Sequence, residues 1–310
     1  MSAPEPPAPY APQPLDAAEG HGNPPSQAAP EGTTRRGLLD KLTARLTGLY
    51  DAREARSIAL IALAELAGLP LSALLTDPGA PMAADGFEAM AAQLAAGRPV
   101  QYVVGHTEFY GHRFTVREGV LIPRPETEEM VRRIVDRYKG RSGMRILDVG
   151  TGSGCIAVTL AAELPDAEVT GIDVSETVLA VAGRNGSLCG GRVRFECCDI
   201  LTRQPGGRFD LVVSNPPYVT LGEKAEMRPN VLKHEPHRAL FVGDDDPLLF
   251  YRVIAERGRS LLAPGGALWF EINERFGDEV TALLGSLGYA DVKLTADLFG
   301  KPRITEAVWK

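Results

Sequence analysis

From Arg36 to Gly97 the apolar positions recur at helical spacing, first Leu38, Leu39, Leu42, Leu46 and Leu49, then Ile58, Leu60, Ile61, Leu63 and Leu66. This spacing predicts a small helical domain over residues 35–98. The chain before it, residues 1–34, is rich in Pro and Ala and has almost no aliphatic clusters to offset the entropy of ordering, which predicts a disordered leader. Between Val100 and Pro123 the pattern changes. Tyr102, Val103, Val104, Phe109, Phe114, Val116, Val120 and Ile122 are broken by Gly105, Gly111 and Gly119, as in a β-hairpin linker, here residues 99–124.

The rest, residues 125–310, reads as one α/β domain. A helix is expected over Glu126–Tyr138, with Pro125 suited to its first turn and Glu126, Glu128 and Glu129 complementing its positive end. Strands at 145–149, 169–173, 193–197, 209–214 and 267–272 then alternate with helical segments at 155–164, 176–185 and 248–262. That alternation specifies a Rossmann-like, mainly parallel sheet with helices on both faces. Residues 292–295 and 304–309 read as two last strands joined by a loop too short for a crossover, so the sheet is expected to end with an antiparallel strand.

At 310 residues and 44% hydrophobic content the chain can bury such a core beside a smaller domain. A formal charge of −7 argues against a surface built to hold long nucleic acid. The apolar stretch Ile58–Leu75 is interrupted by Glu65, Gly68 and Pro70, and no signal peptide opens the chain, so neither membrane spanning nor secretion is expected and the location is read as cytoplasmic. Cys155, Cys189, Cys197 and Cys198 lack paired spacing and are read as reduced thiols. His106, His112, His234 and His237 lack the i, i+4 pairing of a helical site, and no metal is assigned.

Two strand ends carry candidate chemistry. Asp148-Val149-Gly150-Thr151-Gly152-Ser153-Gly154 follows an apolar strand and opens a helix, so its backbone can approach a ligand while helix N–H groups point at it. A dinucleotide fingerprint would put its third glycine at position 155, where Cys155 stands. Asp173 closes the next strand at the distance suited to a ribose ligand. Asp199 and Ile200 lie past the third strand, placed either to flank an adenine ring or to serve as an ordinary surface acid and core residue. The fourth strand ends in Asn215-Pro216-Pro217-Tyr218. The prolines fix the backbone and remove donors, leaving the Asn215 side-chain oxygen and the Pro216 carbonyl as a rigid edge of acceptors for an –NH₂ group, with Tyr218 able to pack over its plane. Such a grip orients an amide or aromatic amine and stabilises charge developing on its nitrogen, as methyl transfer from a sulfonium donor requires.

With these residues the chain after the leader resembles the HemK-type release-factor glutamine methyltransferases. The resemblance extends to Arg98-Pro99-Val100-Gln101-Tyr102, Glu108-Phe109-Tyr110-Gly111, the run from Leu121 to Glu128, the run from Glu235 to Leu240, and the run from Asp297 to Arg303. It implies a class I methyltransferase domain in which Gly150 to Gly154, Asp173, Ile200 and Asn215 contact S-adenosylmethionine, which leaves as S-adenosylhomocysteine. Asn215 through Tyr218 would bind the substrate glutamine, and the helical domain would help grip a class I peptide chain release factor. A monomer that binds neither nucleic acid nor membrane is expected. The chain departs from the family pattern in its leader, in Ile200 where an aromatic is often found, and in Asp246-Pro247 where Asp-Gly is common. Two related chemistries compete: methylation of a ribosomal-protein glutamine, and methylation of the adenine N6 of DNA, whose flipped base offers a similar amine. An inert binding protein that keeps the fold is the reading from outside enzymology, and the intact Asn-Pro-Pro-Tyr edge weighs against it.

Overall fold

The computed structural model describes residues 33–190 and 192–310, so the expected leader lies outside the described residues except for Thr33 and Thr34. Thr34 caps helix α1 (Arg35–Leu46), its hydroxyl accepting from Gly37 N–H at 3.1 Å. Asp51 caps α2 (Ala52–Ala67) in the same way. With α3 (Leu71–Thr76), α4 (Phe87–Ala95) and α5 (Val100–Val104) these helices enclose a core of Leu42, Leu46, Leu63, Phe87 and Leu94.

Helix α5 stands where the first strand of the linker is expected. Val100 packs into the helical core, and Pro99 and Gly105 mark the two ends of the turn, so tertiary burial overrides the β preference of its valines. The hairpin itself is shorter, with β1 (His106–Phe109) and β2 (His112–Thr115) joined through Tyr110 and Gly111, both at positive φ. Helix α6 (Pro125–Tyr138) begins on its proline and buries Met130, Val131, Ile134 and Tyr138.

The remaining elements are β3 (Arg145–Val149), α7 (Cys155–Glu163), β4 (Glu168–Asp173), α8 (Glu176–Cys189), β5 (Val193–Cys197), β6 (Phe209–Ser214) and a short β7 (Val219–Thr220). There follow α9 (Pro229–His234), α10 (His237–Leu240), β8 (Phe241–Val242), α11 (Leu249–Leu261), β9 (Leu262–Glu271), α12 (Gly277–Ser286), β10 (Ala290–Ala296) and β11 (Pro302–Val308). Seven strands form the main sheet in the order β10-β11-β9-β6-β3-β4-β5. Pairing from β9 to β5 is parallel, and β11 lies antiparallel between β9 and β10.

Neighbouring residues of a strand serve opposite faces. Ile146, Leu211 and Val213 pack with α6 and α7, while Leu147, Val149 and Val212 pack with α11 and α12. Strand β9 starts at Leu262 rather than at Ala267, running through Pro264-Gly265-Gly266, a sequence that reads as a turn. Among the described residues no helix is long and apolar enough to cross a membrane.

The chain leaves β3 for β4 and β5 on one side and returns to β6 on the other. Brought together at that reversal are the carboxyl ends of β3 and β6, the place where open α/β sheets bind ligands. The closest packing nearby is at Gly171 in β4, where an added Cβ would stand 2.8 Å from Thr151 Oγ1 and 2.9 Å from the Phe195 ring. Gly171→Ala is therefore expected to lower the unfolding free energy by about 1–3 kcal/mol. Urea denaturation checks this, and an unchanged midpoint would show that the Phe195 ring yields without cost.

Candidate active site

The turns after β3 and β6 begin side by side, because Val149 pairs with Ser214 and the Ser214 hydroxyl donates to the Val149 carbonyl at 2.7 Å. Between them lies a cavity of about 290 Å³ lined by Gly150, Gly152, Asp173, Asp199, Ile200 and Asn215, with Pro216 and Pro217 at its edge. A larger, more open cleft of about 1160 Å³ includes Arg145, Glu168 and Val193, the first residues of β3, β4 and β5. Neither motif reaches it, whereas residues of both line the smaller cavity.

The glycine turn divides its work. Gly150 and Gly152 face the cavity. Thr151 is buried and turns its hydroxyl inward to Asp148 Oδ2 at 2.6 Å, where the Ala157 N–H also donates at 3.2 Å. Gly154 has φ +82° and lies so near helix α8 that an added Cβ would stand 3.1 Å from Ala182 Cβ. The Ser153 carbonyl accepts from Asn185 Nδ2 at 2.8 Å. Thr151, Ser153 and Gly154 thus set the shape of the turn from behind.

Asp173 is held by two backbone donors, Gly152 N–H to Oδ2 at 3.1 Å and Ser175 N–H to Oδ1 at 3.0 Å. Each oxygen keeps a further lone pair for a hydroxyl. Asp199 accepts from Leu201 N–H at 3.0 Å, and Ile200 is buried beside it.

At the other turn, Asn215 Nδ2 donates to Thr127 Oγ1 at 3.0 Å, and that hydroxyl donates to Glu271 Oε2 at 2.5 Å. The Tyr218 hydroxyl donates to Glu271 Oε1 at 3.0 Å. With its nitrogen engaged, Asn215 has its side-chain oxygen left as an acceptor. Glu271 is 1% exposed, and burial raises its carboxyl above the ordinary range despite these donors. Burial and the adjacent Glu271 keep the Tyr218 hydroxyl protonated. Tyr218 packs with the core on the α11 side rather than lining the cavity, and Asn273 Nδ2 holds its carbonyl at 3.1 Å.

Four residues of this site were not singled out by sequence reasoning. Thr127 sits inside the Pro-Glu-Thr-Glu run, where it reads only as an early residue of the expected helix Glu126–Tyr138. Glu271 is the one charge at the end of the apolar strand residues 267–270, and that contrast was the signal available for it. Asn185, wholly buried in α8, joins the Thr115 backbone of the hairpin to the glycine turn. Glu235 accepts from Ile122 N–H at 3.3 Å and Arg124 Nη2 at 2.6 Å. This fastens the linker, whose Gly119 and Leu121 line the cavity. Neither Asn185 nor Glu235 has a local pattern that reveals so distant a partner.

Comparison with known proteins gives matches to two families, one described as the PrmC N-terminal domain over residues 37–105 and one as the Methyltransferase small domain over residues 128–239. A release factor glutamine methyltransferase of Bacteroides thetaiotaomicron is 49% identical over 217 residues, which cover 69% of this chain and 77% of that protein. One from Flavobacterium psychrophilum is 45% identical over 222 residues, 70% of this chain and 78% of its own length. A crystal structure of the release factor-specific protein-(glutamine-N5) methyltransferase of Alicyclobacillus acidocaldarius is 30% identical, covers 61% of this chain and 94% of its own, and superposes with a TM-score of 0.39.

Asp148 gives the site a pH signature. Burial raises its carboxyl from 3.8 to about 7, with Oδ1 unpartnered among the described residues. A folded pKa above the unfolded one means that the protonated group stabilises the fold at low pH. That contribution is lost as pH rises through the folded pKa, by at most about 4 kcal/mol. Asp148→Asn keeps an acceptor toward Thr151 and Ala157 but does not ionise. The unfolding free energy of the wild type relative to Asp148→Asn should therefore fall between roughly pH 4 and pH 7. A constant difference in urea titrations across that range would place the ionisation elsewhere.

Proposed function

The chain belongs to the family of release factor glutamine methyltransferases, and on that footing we propose that it methylates the side-chain amide nitrogen (N5) of the glutamine in the Gly-Gly-Gln motif of class I peptide chain release factors. S-adenosylmethionine is the donor and S-adenosylhomocysteine the product. The cavity fits that donor in each part. Gly150 and Gly152 let the backbone approach, the two Asp173 oxygens suit a ribose diol, and Ile200 with Asp199 suits an adenine face and edge.

When bound, the donor supplies an electrophilic methyl group on a sulfonium for in-line displacement by nitrogen. The protein's own residues prepare that nitrogen. The Asn215 oxygen and the Pro216 carbonyl accept the two amide hydrogens of the substrate glutamine, orienting the nitrogen and stabilising the positive charge that develops on it. Pro217 stiffens this edge, and Tyr218 braces it through Glu271. As the N–C bond forms and the S–C bond breaks, one of the held hydrogens leaves as a proton to water.

The observation that carries this reading is the Thr127 contact to Asn215. An Asn amide turned the other way would present its NH₂ to the substrate's NH₂. Glu271 commits the Thr127 hydroxyl hydrogen, so Thr127 can only accept from Asn215, and the oxygen is left for the substrate. Since the edge also suits an adenine amine, the test includes DNA.

Labelled methyl from S-adenosylmethionine should appear on an intact class I release factor, and not on a variant lacking the Gly-Gly-Gln glutamine or on adenine-containing DNA. Label on DNA alone, or on a ribosomal protein alone, would replace this reading. Asn215→Ala should lower kcat by about 100-fold or more with the fold intact, and Asp173→Ala should chiefly weaken donor binding. Thr127→Val should lower kcat by about tenfold with little change in KM for the donor, and Thr127→Ser should restore it. Equal turnover in Val and Ser variants would remove the orienting role.

A further inference from the structure

The two most exposed large apolar side chains among the described residues are chain neighbours, Leu298 at 88% and Phe299 at 84%, well ahead of Leu188 at 63%. They stand on the turn between β10 and β11. Nothing about this turn is slack. The Asp297 N–H donates to the Lys301 carbonyl at 2.8 Å and the Gly300 N–H to the Asp297 carbonyl at 2.9 Å. Asp297 Oδ1 accepts from the Phe299 N–H at 2.9 Å and the Lys301 N–H at 3.0 Å, and Oδ2 accepts from Arg303 Nε at 3.4 Å. The Leu298 N–H donates to Glu129 of α6 at 3.2 Å. Every backbone N–H from Asp297 to Lys301 therefore has a partner, and the turn holds two apolar side chains in water although neither packs on its own protein.

The position of the turn identifies the occupant. Strand β11 pairs Ile304 with Glu271, and Arg303 Nη1 donates to the Ile272 carbonyl at 3.2 Å. Glu129 lies two residues beyond Thr127 on α6. The turn thus borders the Glu271, Thr127 and Tyr218 cluster that orients Asn215, and none of its residues lines the cofactor cavity. A protein whose glutamine reaches Asn215 must lay its surface over this rim, whereas a second copy seated there would obstruct the same approach.

We propose that Leu298 and Phe299 form a preorganised docking finger for the protein substrate, entering an apolar recess on the release factor beside its glutamine-bearing loop. This rests on the function proposed above. Exposed apolar patches of this kind serve association, and a rigid anchor binds without the cost of being ordered.

The test compares the wild type with Leu298→Ser/Phe299→Ser, a change confined to exposed side chains, in the full chain. With an intact class I release factor, kcat/KM should fall by about tenfold or more, carried by KM, and factor binding measured by interferometry with S-adenosylhomocysteine present should weaken in step. With a short synthetic peptide spanning the Gly-Gly-Gln loop, kcat/KM should be unchanged, as should donor affinity. Undiminished binding of the intact factor, an equal loss on factor and peptide, or a shift from dimer to monomer in light scattering would each overturn the finger. If the wild type transfers no methyl to the factor, the proposed function fails, and the binding comparison still decides whether the finger docks it.

Discussion

A single buried carboxylate organises the surroundings of Asn215. Glu271 ends a strand that is otherwise apolar, and a charge taken that far from water is tolerated only with donors around it. Those donors come from two separate places, Thr127 at the start of α6 and Tyr218 beyond β6, while the Tyr251 hydroxyl satisfies its backbone carbonyl at 3.4 Å. Satisfying one group thus brings the helix, the proline edge and the central sheet into register. The orientation of Asn215 follows from that satisfaction through Thr127.

The sheet and the two turns that meet at the cavity were legible in the sequence because their signals are local. Apolar runs such as 145–149 and 209–214 are bounded by glycine or proline, and the strands lie where those runs do. Periodicity failed where burial decided the state, as at Val100–Val104, and where a Pro-Gly-Gly run, with Gly265 at positive φ, is carried within β9 as an irregularity in its pairing with β6. Helix α12 has its stripe in Val280, Leu283, Leu284 and Leu287, but it is short and carries Gly277 and Gly285 near its two ends, which weaken the helical signal. The site divides in the same way. Gly150, Asp173 and Asn215 lie at strand ends, whereas Thr127 and Glu271 meet across 144 residues of chain.

The linker is best understood as part of the site. Its hairpin is tied to the glycine turn through Asn185 and to the helical cluster through Glu65, which accepts from Arg113 at 2.8 Å and pairs with His106 at 2.9 Å. Its far end is tied to the loop before α10 by the Arg124 and Glu235 ion pair. These ties place Gly119 and Leu121 on the cavity wall. A part of the chain that sequence reading treats as a connector therefore shapes the cavity.

The insertion of β11 between β9 and β10 has a consequence for how the chain is made. Strand β10 leaves the ribosome first, yet it has no partner in the sheet until β11 follows it, since its only neighbour there is β11. Through that interval β9, paired only with β6, keeps its other edge open to strands from other nascent chains. The final strand of the sheet thus acts as a closing wedge between two strands made before it, and the open edge of β9 lasts until that wedge is in place.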